Sequence, residues 1–245
     1  MTPGPLPGSG YDFVRDGGHM KQTRIDRRAW MSGVGAAAAG MALGSTRVDA
    51  EAPATPPQAA QPAAPFQPAR HALDEWFDKL PGTHRVILDV TSPEGSTWGI
   101  AYATNIYNAN RTGYQIENAD LAMVLCLRHN ATGFAFNNAM WAKYGKPLAE
   151  GSDYKDPTGA EPKANPRNTG ERPALDGLIK RGAHFAVCGL ATRRLAGMIV
   201  GRGGDSDAVF KELSENTIPN AHIMAAGVVA VTRAQEYGYS LLHVG

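Results

Sequence analysis

Only two cysteines occur among the 245 residues, too few for a disulfide framework or a four-cysteine zinc site. An excess of charge is missing as well: 24 Lys+Arg against 23 Asp+Glu leave a formal charge of +1. That balance excludes nucleic acid as the main partner, because neutralising phosphates takes a concentrated basic face. No run reaches the roughly 20 uninterrupted apolar residues that cross a bilayer comfortably. Phosphate loops of the Gly-x-x-x-x-Gly-Lys type, Gly-x-Gly-x-x-Gly after the first strand, His-Glu-x-x-His and Cys-x-x-Cys are all absent. What is present is 43% apolar and 19% charged residues, the composition of a globular protein. The 28 glycines and 17 prolines are many for this length and cluster unevenly.

Residues 1–50 form an extension. From Met20 it carries Lys21, Arg24, Arg27 and Arg28, then the mildly apolar Ala29–Gly44, then Val48-Asp49-Ala50. Basic end, apolar middle and small residues at the close are the layout of an export signal. The run Asp26-Arg27-Arg28-Ala29-Trp30-Met31 resembles a twin-arginine signal, which implies export of a folded protein to the periplasm. Two other readings stay open: an uncleaved signal acting as a membrane anchor, and a basic patch leading into a short helix. Residues 51–70 are rich in Ala, Pro and Gln and read as a semi-extended linker. Residues 71–245 are long enough to fold as one domain without disulfide staples.

That domain reads as α/β: a five-stranded, mainly parallel sheet flanked by helices. His84–Val90, Leu121–Leu127, Ala183–Cys188, His222–Ala225 and Tyr239–His243 are short, apolar, β-rich runs. Between them lie helical patterns at Ser96–Gly113, Phe134–Tyr144 (closed by Gly145 and Pro147), Ala174–Arg181, Thr192–Val200, Asp207–Glu215 and Val228–Tyr237. Alternation of this kind specifies βαβ crossovers, with ligands gathered at the carboxyl ends of the strands. Pro147–Pro173 breaks the rhythm as a polar insertion with five prolines. It is placed over the carboxyl edge, in a subunit contact, or as solvated decoration.

Chemistry concentrates on Cys188. A thiol at a strand-to-helix junction faces the amino end of the next helix, where free N–H groups and the dipole favour thiolate. Arg193 and Arg194 would add positive charge on folding back, and His129, at the end of the second strand, could act as a base. The plain alternative is a buried, inert thiol. Cys126, inside the second strand, reads as core. The usual strand order 2-1-3 sets the two cysteines about 9 to 10 Å apart, beyond the about 7 Å between α-carbons that a disulfide spans. His84, His184 and His222 open strands at the far edge, and their spacing supports no zinc site. No metal and no cofactor are expected.

Phe185-Ala-Val-Cys-Gly-Leu-Ala-Thr-Arg-Arg-Leu195 and Gly227-Val-Val-Ala-Val-Thr-Arg-Ala-Gln-Glu-Tyr-Gly-Tyr239 resemble the DsrE/DsrF-like (TusD/YchN-type) sulfur-relay family. The likeness runs over roughly His84 to Gly245. It implies a compact α/β domain assembled as a homo-oligomer, a trimer or hexamer. It also implies that Cys188, matching the family's cysteine after the third strand, takes sulfane sulfur as a persulfide from a donor protein and passes it to an acceptor. The alternative function is a non-catalytic binding or scaffold subunit of a membrane-associated complex. The tether, the polar insertion and the aromatic Phe134–Tyr144 segment suggest it.

Overall fold

The computed structural model describes residues 67–168 and 173–245. The expected export signal, the membrane anchor and most of the linker lie outside these residues. No helix among the described residues is long and apolar enough to cross a membrane.

Five parallel strands form one sheet: β1 (His84–Val90), β2 (Leu121–Leu127), β3 (His184–Cys188), β4 (Ala221–Met224) and β5 (Ser240–Val244). Their order is β4-β3-β2-β1-β5. The expected 2-1-3 order is therefore wrong: β2, not β1, lies at the side of β3. The fully buried β2 explains this, since all seven of its residues are inside and a strand apolar on both faces belongs at the sheet's centre.

Side chains alternate across the sheet. Leu88, Val90, Met123, Leu125, Leu127, Phe185 and Val187 enter one core, while Ile87, Ala122, Val124, Cys126 and Ala186 enter the other. The first core is covered by α2 (Pro93–Tyr114), α3 (Asn138–Gly151), α4 (Leu175–Lys180), α5 (Gly189–Val200) and α6 (Ser206–Glu215). The second is covered by α1 (Trp76–Lys79) and α7 (Gly227–Glu236). The crossover through α7 carries the chain to the opposite edge, where β5 pairs with β1.

Helix starts are chemically marked. Ser92 caps α2 by accepting from the Gly95 N–H at 2.8 Å, with Pro93 at the first position. Asn137 caps α3 by accepting from Met140 N–H at 3.1 Å.

The expected helix over Phe134–Tyr144 is displaced. Residues His129–Ala135 form 3₁₀ turns, α3 starts at Asn138, and it bends at Tyr144 (φ −125°) instead of stopping. Pro147 sits just beyond the bend, where a missing N–H does least harm. The helix therefore takes in the start of the insertion, which is not a structureless loop. Further on, the buried Asn165 donates to the carbonyls of Phe134 (2.7 Å) and Phe136 (2.8 Å). Arg167 donates to Ser96 Oγ (2.7 Å) and the Pro93 carbonyl (3.0 Å). Its guanidinium lies 4.8 Å from the Phe134 ring centre and 5.1 Å from that of Tyr154. Asn165 thus ties the insertion to the end of the 3₁₀ segment, and Arg167 ties it to the amino end of α2, which begins where β1 ends.

Candidate functional site

Four side chains from neighbouring strands point to the α7 face at the carboxyl ends. Asp89 of β1 follows Ile87 by two residues, Arg128 follows Cys126 by two, and Cys188 follows Ala186 by two, so all share that face by alternation. His243 of β5 is the register partner of Asp89.

Cys188 is the last residue of β3 and the N-cap of α5. Its Sγ accepts from the Ala191 N–H at 3.4 Å, and the Thr192 hydroxyl donates to its carbonyl at 3.0 Å. The thiol thus occupies the helix start where the backbone donors and the dipole favour negative charge. The residue is 8% exposed, and its exposed part opens into a cleft of about 310 Å³. Arg128, His129, Arg194, Leu190 and Val228 line that cleft with it.

The two arginines after Cys188 part company. Arg194 reaches the cleft wall and donates to the Gly151 carbonyl at 2.8 Å. Arg193 does not serve the thiol. It pairs with Asp207 at 3.1 Å and lies 4.0 Å over the Phe210 ring, turned toward α6. His129 is exposed, in a left-handed conformation (φ 52°), and lines the cleft directly from β2 without reaching across β1.

Arg128 is the cation that sequence reasoning missed. Asp89 holds it by two bonds, to Nε at 2.5 Å and to the terminal nitrogen at 2.8 Å. His243 Nδ1 lies 3.0 Å from Asp89 Oδ2, the oxygen that also accepts from the Arg128 terminal nitrogen. Burial acts to raise the Asp89 pKa, but the bonds from Arg128 and His243 outweigh it and the net result is a lowered value. Arg128 is correspondingly raised, first by its bond to Asp89. The signal was in the sequence: an acid within the apolar run Val86-Ile-Leu-Asp-Val90, and an arginine closing the apolar Leu121–Leu127. Carboxyls in such places need a partner.

Two glycines make this crowding feasible. A Cβ on Gly189 would stand 2.5 Å from the Met224 carbonyl, and one on Gly227 would overlap the Arg128 side chain. Gly227 opens α7 and also accepts, through its carbonyl, from the Cys126 thiol at 3.5 Å. Cys126 is fully buried, and burial above all pushes its pKa up, with Asp89 and Cys188 adding to the effect. It is a core thiol, as expected.

Both cysteines are free. Cys126 pairs with Ala186, so Cys188 lies one strand across and two residues along. Strand spacing and rise put the α-carbons about 8 Å apart, still outside disulfide range.

Among the described residues no three His, Cys, Asp or Glu side chains converge as metal ligands. The chain matches no family model and no curated protein, so the chemistry of the cleft is read from its own atoms.

Proposed function

We propose that this protein is an exported, DsrE-like sulfur carrier that holds sulfane sulfur as a persulfide on Cys188. The observation that carries this reading is the position of that one sulfur. It lies at the head of α5, on the floor of an open cleft, with Arg128 beside it.

In the transfer the Cys188 thiolate attacks the terminal sulfur of a donor S–S bond. The new bond to Cys188 forms as the donor bond breaks, and its electron pair leaves with the donor thiolate, or with sulfite when the donor is thiosulfate. Attack by an acceptor thiolate on the outer sulfur returns Cys188 to thiolate. No external oxidant or reductant is consumed. The helix start and Arg128 stabilise the sulfur anion before and after transfer. Arg194 and His129 line the same cleft; in this reading Arg194 adds charge at the rim and His129 takes the thiol proton. Donor and acceptor proteins, a trimeric or hexameric assembly and twin-arginine export to the periplasm belong to the same proposal.

The test is to incubate the protein with thiosulfate or polysulfide and weigh it intact. A gain equal to one sulfur atom, lost in Cys188→Ser, is expected. No gain, or a gain that survives in Cys188→Ser, overturns the proposal.

The scaffold reading keeps one supporting observation, the exposed and neighbouring Trp98 and Tyr102 on α2, whose rings lie 6.0 Å apart. It loses the aromatic Phe134–Tyr144 segment, since Phe134 and Trp141 are wholly buried. Recovery of the protein as free periplasmic material with no co-purifying partner would end it.

A further inference from the structure

At the opposite, amino edge of the sheet, two histidines that sequence spacing had left apart come together. His222 pairs with Ala186, so His184 is its diagonal neighbour on the same face. His184 Nδ1 lies 3.0 Å from His222 Nε2. The ring centres are 5.3 Å apart with planes 15° from parallel. That spacing exceeds the N···N distance by about two ring radii, so the imidazoles lie end to end. Each facing lone pair or N–H therefore aims at the other ring. This is the arrangement of a shared proton, whereas two ligands of one ion would converge on a third point. One ring's N–H donates to the bare nitrogen of the other.

Trp76 covers the pair. Its ring stacks on His222 at 3.9 Å and 7°, and on Phe77 at 4.0 Å and 26°. The indole Nε1 is buried with no hydrogen-bond partner, so the Trp76 side chain is held by stacking and apolar packing and by no polar bond of its own. Phe77 has other ties: its carbonyl accepts from Tyr239 at 2.8 Å and from Arg85 at 3.0 Å.

We infer that the end-to-end His184–His222 pair under Trp76 is an acid-released latch, which pins the start of the folded domain to the sheet and lets go when both imidazoles carry a proton. The first added proton goes to an outward nitrogen and leaves one N–H···N bond, now charge-assisted. The second places an N–H on both facing nitrogens and two cations within contact. The bond is lost, the rings separate, and the surface under Trp76 is broken.

The surrounding charges do not replace the lost bond. Asp74 lies 3.5 Å from Arg233, and Arg233 pairs with Glu236 at 2.7 Å. At the start of α1 and along it, Glu75 pairs with Lys79 and Asp78 with Arg85. Arg181, just before β3, turns to Asn118 and the Tyr107 ring. Burial, and then the charge of His184, push His222 down to about 4, and burial also lowers His184.

The experiment is an NMR titration of the imidazole and indole nitrogens of the full chain from pH 7.5 to 3.5, with Trp76→Phe to assign the Trp76 signal. The expected result is a Trp76 indole N–H that shifts and begins rapid exchange with water in step with the lower-pH histidine transition. His222→Phe keeps a stacking ring without a titrating nitrogen, and should leave Trp76 insensitive across that range. The latch is overturned if His222 titrates like a free imidazole near pH 6.5. It is also overturned if Trp76 stays unchanged through the His222 step, or if His222→Phe retains the same acid transition. Should His222→Phe fail to fold, the titration of the unaltered protein decides alone.

Discussion

Asp89 and Arg128, from adjacent strands, are locked by two parallel hydrogen bonds of 2.5 and 2.8 Å, and the locked guanidinium stands in the wall of the Cys188 cleft. A two-pronged pair fixes direction as well as distance, so Arg128 cannot swing into solvent as a lone surface arginine would. Asp89 does not line the cleft itself, so in the proposed transfer it would be a positioning residue that acts through Arg128.

Removing Asp89 should therefore cost stability and thiol chemistry together. Asp89→Ala leaves Arg128 without its counter-charge. The expected loss is about 2 to 3 kcal/mol, below the ~3–5 of a wholly buried pair because Arg128 is partly solvated. Urea unfolding with an unchanged slope measures this. Alkylation of Cys188 should slow in Asp89→Ala and in Arg128→Met, and stay near normal in Arg193→Ala.

The two thiols should differ sharply in reactivity. One alkyl group is expected on the native protein, two after denaturation, and none on native Cys188→Ser, as counted by intact mass. Cys126 is silent because burial raises its pKa and removes access. Two groups on the native protein would contradict this placement.

Acid should weaken the fold in two separate windows. The histidines have pKa values below the ordinary 6.5, so the unfolded chain binds their protons first. Stability falls as pH drops from about 6.5 to about 4 and then levels for these groups. Asp89 is lowered from 3.8, so its contribution is complete above that value and is lost as pH falls through the folded value. Thermal midpoints against pH should show a weakened upper window in His222→Phe, the part due to the burial of His184 remaining, and should lose the lower window in Asp89→Asn.

Asn165→Ala should loosen the insertion. It strands two buried carbonyls, at an expected cost of about 1 to 3 kcal/mol. Proteolytic cleavage between residues 155 and 164 should become faster while Cys188 alkylation is unchanged.

Much of this architecture was legible in the residues. The apolar runs placed β1 and β2 to the residue, and the remaining strands to within two. Cys188 at a strand-to-helix junction was equally plain, because a strand ending and a helix beginning are both local events. Strand order was not legible: it depends on which crossover packs where, and the 2-1-3 expectation failed on the wholly buried β2. Arg128 was hidden for the same reason, since its nearness to Cys188 exists only when β2 lies against β3. Arg193 and Arg194 looked equivalent as neighbours in the chain, yet consecutive helix positions point about 100° apart, and only Arg194 reaches the cleft. The His184–His222 pair needed the β3–β4 register as well.

The separation of Cys126 from Cys188 has a bearing on how long a modified sulfur would last. Enzymes that recycle themselves keep a second cysteine close by to resolve whatever the first has taken on. Here the only other cysteine lies sealed under α7 and out of bonding range, so any mixed disulfide or longer sulfur chain built on Cys188 would have no exit inside its own chain. On the proposed function such a group would persist until a visiting thiol entered through the mouth of the cleft, and the pace of discharge would be set by encounter with that visitor.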